Sequence, residues 1–215
     1  MTCGTMSFTY EQFQCLALPI PDTANPLLGI EECFRAYLCR EIVGSQHIGG
    51  VFGGGGVGSN YLPPPMSPSC KWRCPKCKVP RHFSKKIDLL RLPDVLVVSL
   101  NRFHSSSDRS SRPKKVNDLI RFPLDRLDLS FTLPSSSSTE KSSTSSSSSS
   151  RSSSIFDLYC VSNHIGSMSR GHYTASCRTL DGNWFAFNDC IVSPMRDDTD
   201  VVSAEAYVLF YVRRP

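Results

Sequence analysis

From residue 156 to the C-terminus the sequence reads as strand after strand, and this limits the fold more than any other feature. FDLYCVSNHIG (156–166), GHYTASCRTL (171–180), NWFAFND (183–189) and AYVLFYVRR (206–214) are β-branched and aromatic runs. Asp181-Gly182 marks a hairpin turn between the second and third. Upstream, LPDVLVVSLNRF (92–103) is a β-branched run bounded by Pro93, the pattern of a strand buried on both faces. Helix is sparse. The clearest candidate is Gly29–Glu41, where Ile30, Cys33, Phe34, Tyr37 and Leu38 fall at i, i+3, i+4, i+7 and i+8. The fold class implied is α+β, mainly antiparallel β.

Low-complexity segments interrupt this pattern. GGVFGGGGVGSN (49–60) runs into Pro63–Pro65, giving a flexible Gly/Pro-rich insert over 49–65. Residues 135–154 are almost all serine and cannot bury apolar area, so a disordered insert is expected there. HSSSDRSSRPK (104–114) reads as a shorter polar loop. A folded domain tolerates such inserts because loop-closure cost grows only logarithmically with length. The remaining chain, 40% apolar, suffices for a core. A net charge of +5, with basic residues scattered except around 71–86, gives no argument for a nucleic-acid partner. No apolar run reaches membrane-spanning length, and the N-terminus lacks a signal-peptide pattern. The ten cysteines lie mostly in strand-like text such as FQCLAL, LYCVS and TASCRTL, which favours buried reduced thiols and a reducing compartment over a disulfide framework.

Two motifs carry chemistry. Cys74-Pro75-Lys76-Cys77 places two thiolates on a tight turn, where both can grip one zinc ion. Zinc needs four ligands, and the further candidates are Cys70 and Cys3; the alternative is a surface turn with two free thiols. A thioredoxin-like role is disfavoured, since no βαβ unit surrounds the pair. The second motif is the hairpin SRGHYTASCRTLDGNWFAFNDC (169–190). A two-residue loop sets Asn188 opposite Ala175, on the other face from His172, whereas a three-residue loop over 181–183 with a Gly bulge returns both to one face. A histidine held by an asparagine is the base-and-orienter part of a nucleophilic site; taken alone, a single histidine on a strand is more often a structural or surface residue.

SNHIGSMSRGHYTASCRTLDGNWFAFND together with AYVLFY closely resembles the histidine box of the ubiquitin-specific proteases, papain-like cysteine deubiquitinases built of thumb, palm and zinc-bearing fingers. WRCPKCKVPRHFSKKIDLLRLPDVLVVSLNRF looks like that family's second zinc knuckle running into the central palm strand, and CGTMSFTYEQFQCLALPIP like the segment after the first knuckle. GIEECFRAYLCREIV is similar to the short helix between the two. The resemblance implies a partial catalytic domain over 1–215: fingers in 1–48 and 66–88, palm in 89–134 and 155–215, thumb missing.

Carried over, His172 is the general base, Asn188 orients its imidazole, and Asp189 takes a neighbouring supporting position. Gly171 leaves room for ubiquitin's di-glycine tail, and His164 sits in a loop beside that tail's channel. Cys74 and Cys77 match one zinc pair and Cys3 half of the other, whose first cysteine would precede residue 1. No stretch resembles the cysteine box with its nucleophile and oxyanion-hole residue; Cys15, Cys33 and Cys39 read as core, and Cys177 and Cys190 flank the histidine hairpin.

The implied activity is thiol-dependent hydrolysis after ubiquitin's C-terminal glycine, with this chain inactive alone and structural zinc as cofactor. Ubiquitin or ubiquitinated proteins are the expected partners, neither nucleic acid nor membrane is expected, and the setting is intracellular, cytoplasmic or nuclear. Three readings stay open: a fragment of an active enzyme, a non-catalytic ubiquitin-binding module, and a zinc-ribbon module binding another partner.

Overall fold

Leu96, Val98 and Leu100 alternate with half-exposed neighbours along one strand, and the fold is organised around the face they present. The computed structural model describes residues 3–22, 28–43, 72–81, 83–104, 114–134 and 153–215. In chain order its strands are β1 (Cys15–Pro19), β2 (Glu41–Val43), β3 (Trp72–Arg73), β4 (Pro80–Arg81), β5 (Phe83–Lys85), β6 (Val95–Asn101) and β7 (Phe103–His104). They continue as β8 (Lys114–Lys115), β9 (Leu127–Asp128), β10 (Ile155–Gly166), β11 (Gly171–Arg178), β12 (Trp184–Asn188), β13 (Ile191–Pro194) and β14 (Ala206–Arg213), with one α-helix, α1 (Ile30–Leu38).

The main sheet runs β1-β6-β14-β10-β11-β12-β13, with β9 beside the start of β10. Its pairings are antiparallel except at one edge, where β1 lies parallel to β6. The inner face gathers Leu16, Leu18, Leu96, Val98, Leu100, Val161, Leu209 and Trp184 into one core. α1 packs on it through Ile30, Cys33 and Phe34, all fully buried, and Phe34 meets Phe131 edge to face at 6.5 Å. The helix starts where Gly29 N donates to the Glu32 carboxylate (3.1 Å), with Glu31 and Glu32 set against the positive end of the dipole.

Several sequence expectations need correcting. The helix predicted over Gly29–Glu41 stops at Leu38, because Glu41–Val43 is drawn into antiparallel pairing with β5. β6 is buried on one face only; Val97 and Ser99 are half-buried on the other and Val95 is exposed. Of the cysteines expected in the core, Cys33 is buried, but Cys15 and Cys39 are exposed. Residues 15–19, grouped by sequence with 66–88, pair instead with β6 in the main sheet. β13 has no counterpart among the strands read from sequence. The loop expected over 104–114 is flanked by the β7–β8 pairing of Phe103–His104 with Lys114–Lys115. The Gly/Pro-rich insert 49–65, Cys70 and residues 135–152 lie outside the described residues. At the end of the Ser-rich insert, Ser154 O accepts from Leu129 N (3.0 Å).

Arg102, fully buried, ties the sheet to the chain beside it. Its Nε donates to Ala206 O (2.7 Å), and one terminal nitrogen donates to Val116 O (3.1 Å) and Asp118 O (2.9 Å). A buried guanidinium needs such acceptors to offset the loss of water.

Candidate active site

The hairpin decides whether His172 and Asn188 meet. Its loop has three residues, but they are Leu180-Asp181-Gly182, one position earlier than the sequence suggests. Thr179 N donates to Asn183 O (2.9 Å) and Gly182 N to Thr179 O (2.9 Å), while Gly182 takes φ +87°, a conformation that favours glycine. Moving a loop by one residue moves every cross-strand pair by two. β11 and β12 therefore pair as Ala175↔Phe187 and Arg178↔Trp184, which sets Asn188 across from Thr174, one pleat from His172 on the same face.

The side chains close the remaining gap: His172 Nε2 lies 2.6 Å from Asn188 Oδ1. An amide oxygen only accepts, so Nε2 carries the hydrogen and Nδ1 holds the lone pair. Among the described residues nothing hydrogen-bonds Nδ1, and the imidazole side chain is 47% exposed. The ring is thus oriented from one side and open on the other. Asp189 follows in the two-residue turn that joins Asn188 to Ile191, with φ +51°, which aspartate tolerates better than most residues. Its carboxylate stands 3.9 Å from His172 Nε2, an ion-pair distance beyond hydrogen bonding, and is 78% exposed. In water at that exposure its pull on an imidazolium is small.

His164 is not in a loop. It lies within β10, opposite Tyr173 and on the other face of the sheet from His172, and is 5% exposed. Its ring is caged by Phe103 (5.2 Å between centroids), Tyr173 (4.9 Å) and Tyr207 (6.1 Å). Lys115 Nζ donates to its backbone oxygen (2.5 Å). Burial, and then the Lys115 ammonium, push the His164 imidazole below its ordinary pKa, so it is neutral at physiological pH. Gly171 abuts this ring: a Cβ there would sit 2.2 Å from His164 Nε2.

Sequence reasoning missed the cage. Tyr207 reaches it because pairing slips between Ser162↔Val208 and Asn163↔Ala206, leaving Tyr207 as the extra residue of a β-bulge. Such bulges turn a side chain out of the regular alternation. Nothing in AYVLFY marks one.

The cysteine motif forms a second cluster. β3 and β4 hold the turn, within which Lys78 N donates to Cys74 O (2.9 Å). The Sγ atoms of Cys3, Cys74 and Cys77 lie within 4.8 Å of one another, Cys3 and Cys74 at 3.8 Å. Tetrahedral zinc with sulfur at about 2.3 Å requires sulfurs roughly 3.8 Å apart, so the group can hold a metal ion. Backbone N–H groups of Cys77 and then Lys76 point at the Cys74 sulfur and bring its thiol down to about 6, against the opposing effect of burial. The fourth candidate ligand, Cys70, is outside the described residues.

Among the described residues no helix is long and apolar enough to cross a membrane. The sequence profile described as "Ubiquitin carboxyl-terminal hydrolase" matches residues 10–211. "Ubiquitin carboxyl-terminal hydrolase 31" of Homo sapiens is 38% identical over 160 residues, covering 69% of this chain and 12% of that protein. "Ubiquitin carboxyl-terminal hydrolase 2" of Bos taurus is 30% identical over 210 residues, covering 97% of this chain and 28% of that protein. The chain therefore spans well under a third of the length of these relatives. Among solved structures, the yeast SAGA DUBm superposes with a TM-score of 0.65 at 25% identity, covering 94% of this chain and 36% of that chain. A SAGA DUB module of Ubp8, Sgf11, Sus1 and Sgf73 bound to monoubiquitin gives 0.67 at 25% identity, covering 99% of this chain and 38% of that chain. With the profile spanning nearly its whole length, the chain belongs to the ubiquitin carboxyl-terminal hydrolase family.

Proposed function

We propose that this chain carries the base-and-orienter half of a cysteine-type deubiquitinase, which hydrolyses the peptide or isopeptide bond after the C-terminal glycine of ubiquitin. The 2.6 Å contact between His172 Nε2 and Asn188 Oδ1 is the observation that carries this reading. With Nε2 engaged, Nδ1 is the atom that takes a proton from a thiol nucleophile, then returns it to the departing lysine amine. Water, deprotonated by the same nitrogen, releases the acyl group. Asn188 fixes ring and tautomer without adding charge, and Asp189 lends a weak field to the imidazolium.

Gly171 offers bare backbone beside His172 for the di-glycine tail of ubiquitin. His164 acts beneath it as a positioning residue, filling the space that a side chain would need. Cys3, Cys74 and Cys77 would hold zinc in a structural role, tying the N-terminal segment to the turn. The described cysteines are all free thiols, in keeping with an intracellular setting, cytoplasmic or nuclear.

No cysteine thiol touches His172 among the described residues. The 215-residue chain alone is therefore expected to bind ubiquitin without turning it over. The test pairs two measurements on the zinc-loaded chain: release of a fluorophore from ubiquitin's C-terminus, and ubiquitin-induced NMR shifts. Shifts without release support the proposal. Release that disappears in His172→Ala would overturn the inactivity. Absence of shifts in a folded chain would remove ubiquitin as the partner and leave a zinc-ribbon module.

A further inference from the structure

Cys160 and Cys177 take part in neither the metal group nor the imidazole pair. They are direct partners across β10 and β11, half-buried, on the face of the sheet opposite His172. Their sulfurs lie 2.9 Å apart. Two thiolates sharing zinc stand roughly 3.8 Å apart, as Cys3 and Cys74 do, so 2.9 Å is too close for a shared metal. It is close to what a disulfide requires. A bond of about 2.05 Å needs the sulfurs to approach by roughly 0.9 Å more. Directly opposed residues of an antiparallel pair have Cα atoms about 4.5–5.5 Å apart, within the span that disulfides accept.

We propose that Cys160 and Cys177 form a reversible cross-strand disulfide, an oxidative modification site that takes a small-molecule disulfide such as oxidised glutathione as its oxidant. One protein thiolate attacks a sulfur of the glutathione disulfide; that S–S bond breaks and one glutathione leaves. The second protein thiolate attacks the protein sulfur of the mixed disulfide and expels the other glutathione. Two protein thiols are oxidised, two glutathione thiols are formed, and the two thiol protons pass to the departing thiolates.

Reversibility follows from the pairing. Cβ atoms of opposed strand residues lie about 4.5–5.5 Å apart, against about 3.8 Å in a relaxed disulfide. A bond between directly opposed strand residues is thus expected to carry strain, and strained disulfides are the readily reduced ones. Closing it fixes β10 to β11, the strand that begins with Gly171 and His172.

The test uses the zinc-loaded 215-residue chain equilibrated with oxidised and reduced glutathione, acid-quenched and alkylated. Trypsin cuts after Arg170 and separates the two cysteines into 152–170 and 171–178. The expected product is these two peptides joined, two hydrogens lighter than their sum, and restored to free peptides by reduced glutathione. Cys160→Ser should abolish the joined species and leave a glutathione adduct on Cys177. The proposal is overturned if the folded wild-type chain gives only alkylated thiols, or only separate glutathione adducts, at these positions. The wild-type peptide map decides by itself if the variant fails to fold.

Discussion

Replacing Gly171 by alanine tests whether close approach, rather than backbone freedom, requires glycine beside His172. Gly171 is not among the glycines with positive φ, so alanine is compatible with its extended backbone. The new Cβ would fall 2.2 Å from His164 Nε2, 2.9 Å from Cε1 and 3.1 Å from Cδ2. The ring cannot swing aside freely, since Phe103, Tyr173 and Tyr207 surround it. Overpacking of this kind costs about 1–3 kcal/mol. For a chain of this size that lowers Tm by about 2–12 °C.

The sign reverses when the ring is removed. In a His164→Ala background the space is open, and Gly171→Ala should be neutral or stabilise by up to about 1 kcal/mol, because alanine loses less chain entropy on folding. Thermal unfolding of the four proteins in this cycle isolates the coupling. Equal destabilisation by Gly171→Ala in both backgrounds would show that the clash is not with His164. An unchanged Tm in the wild-type background would show that the ring yields at no cost.

Three further outcomes are expected. His164 is held below its ordinary pKa of 6.5, so the unfolded chain takes up a proton that the folded chain resists; stability is full above about pH 6.5 and falls as pH drops toward the folded value. Urea midpoints measured from about pH 7.5 to about pH 5.5 should fall more steeply for wild type than for His164→Gln, and parallel curves would refute this. Arg102→Leu leaves the carbonyls of Ala206, Val116 and Asp118 without their donor, costing about 3 kcal/mol or more in urea unfolding; a loss below about 1 kcal/mol would mean that water replaces it. Zinc analysis should give one equivalent in wild type and a loss of stoichiometric binding in Cys74→Ser. Equal zinc in both would place the ion elsewhere.

The sequence by itself determined the β-rich character, the approximate extent of its long strands, and the identity of the groups that matter. Residue chemistry and period-2 patterning are local, so FDLYCVSNHIG and AYVLFYVRR announce β10 and β14 without reference to the rest of the chain. Local pattern also announced the Cys74–Cys77 turn. What it could not supply is the relation between distant segments. The one-residue displacement of the hairpin loop was settled by Gly182 taking positive φ and by Thr179 pairing with Asn183. Through the parity of the strands, that displacement set His172 and Asn188 one pleat apart.

The same holds at longer range. Cys3 joins a turn 71 residues away, Tyr207 enters the His164 cage through a bulge, and Cys160 faces Cys177 by strand register. Each depends on which strands neighbour one another and where their ladders slip, energies shared over a whole sheet rather than written in any single run. The chemistry of the site was therefore legible in its residues, and its geometry was decided by the sheet.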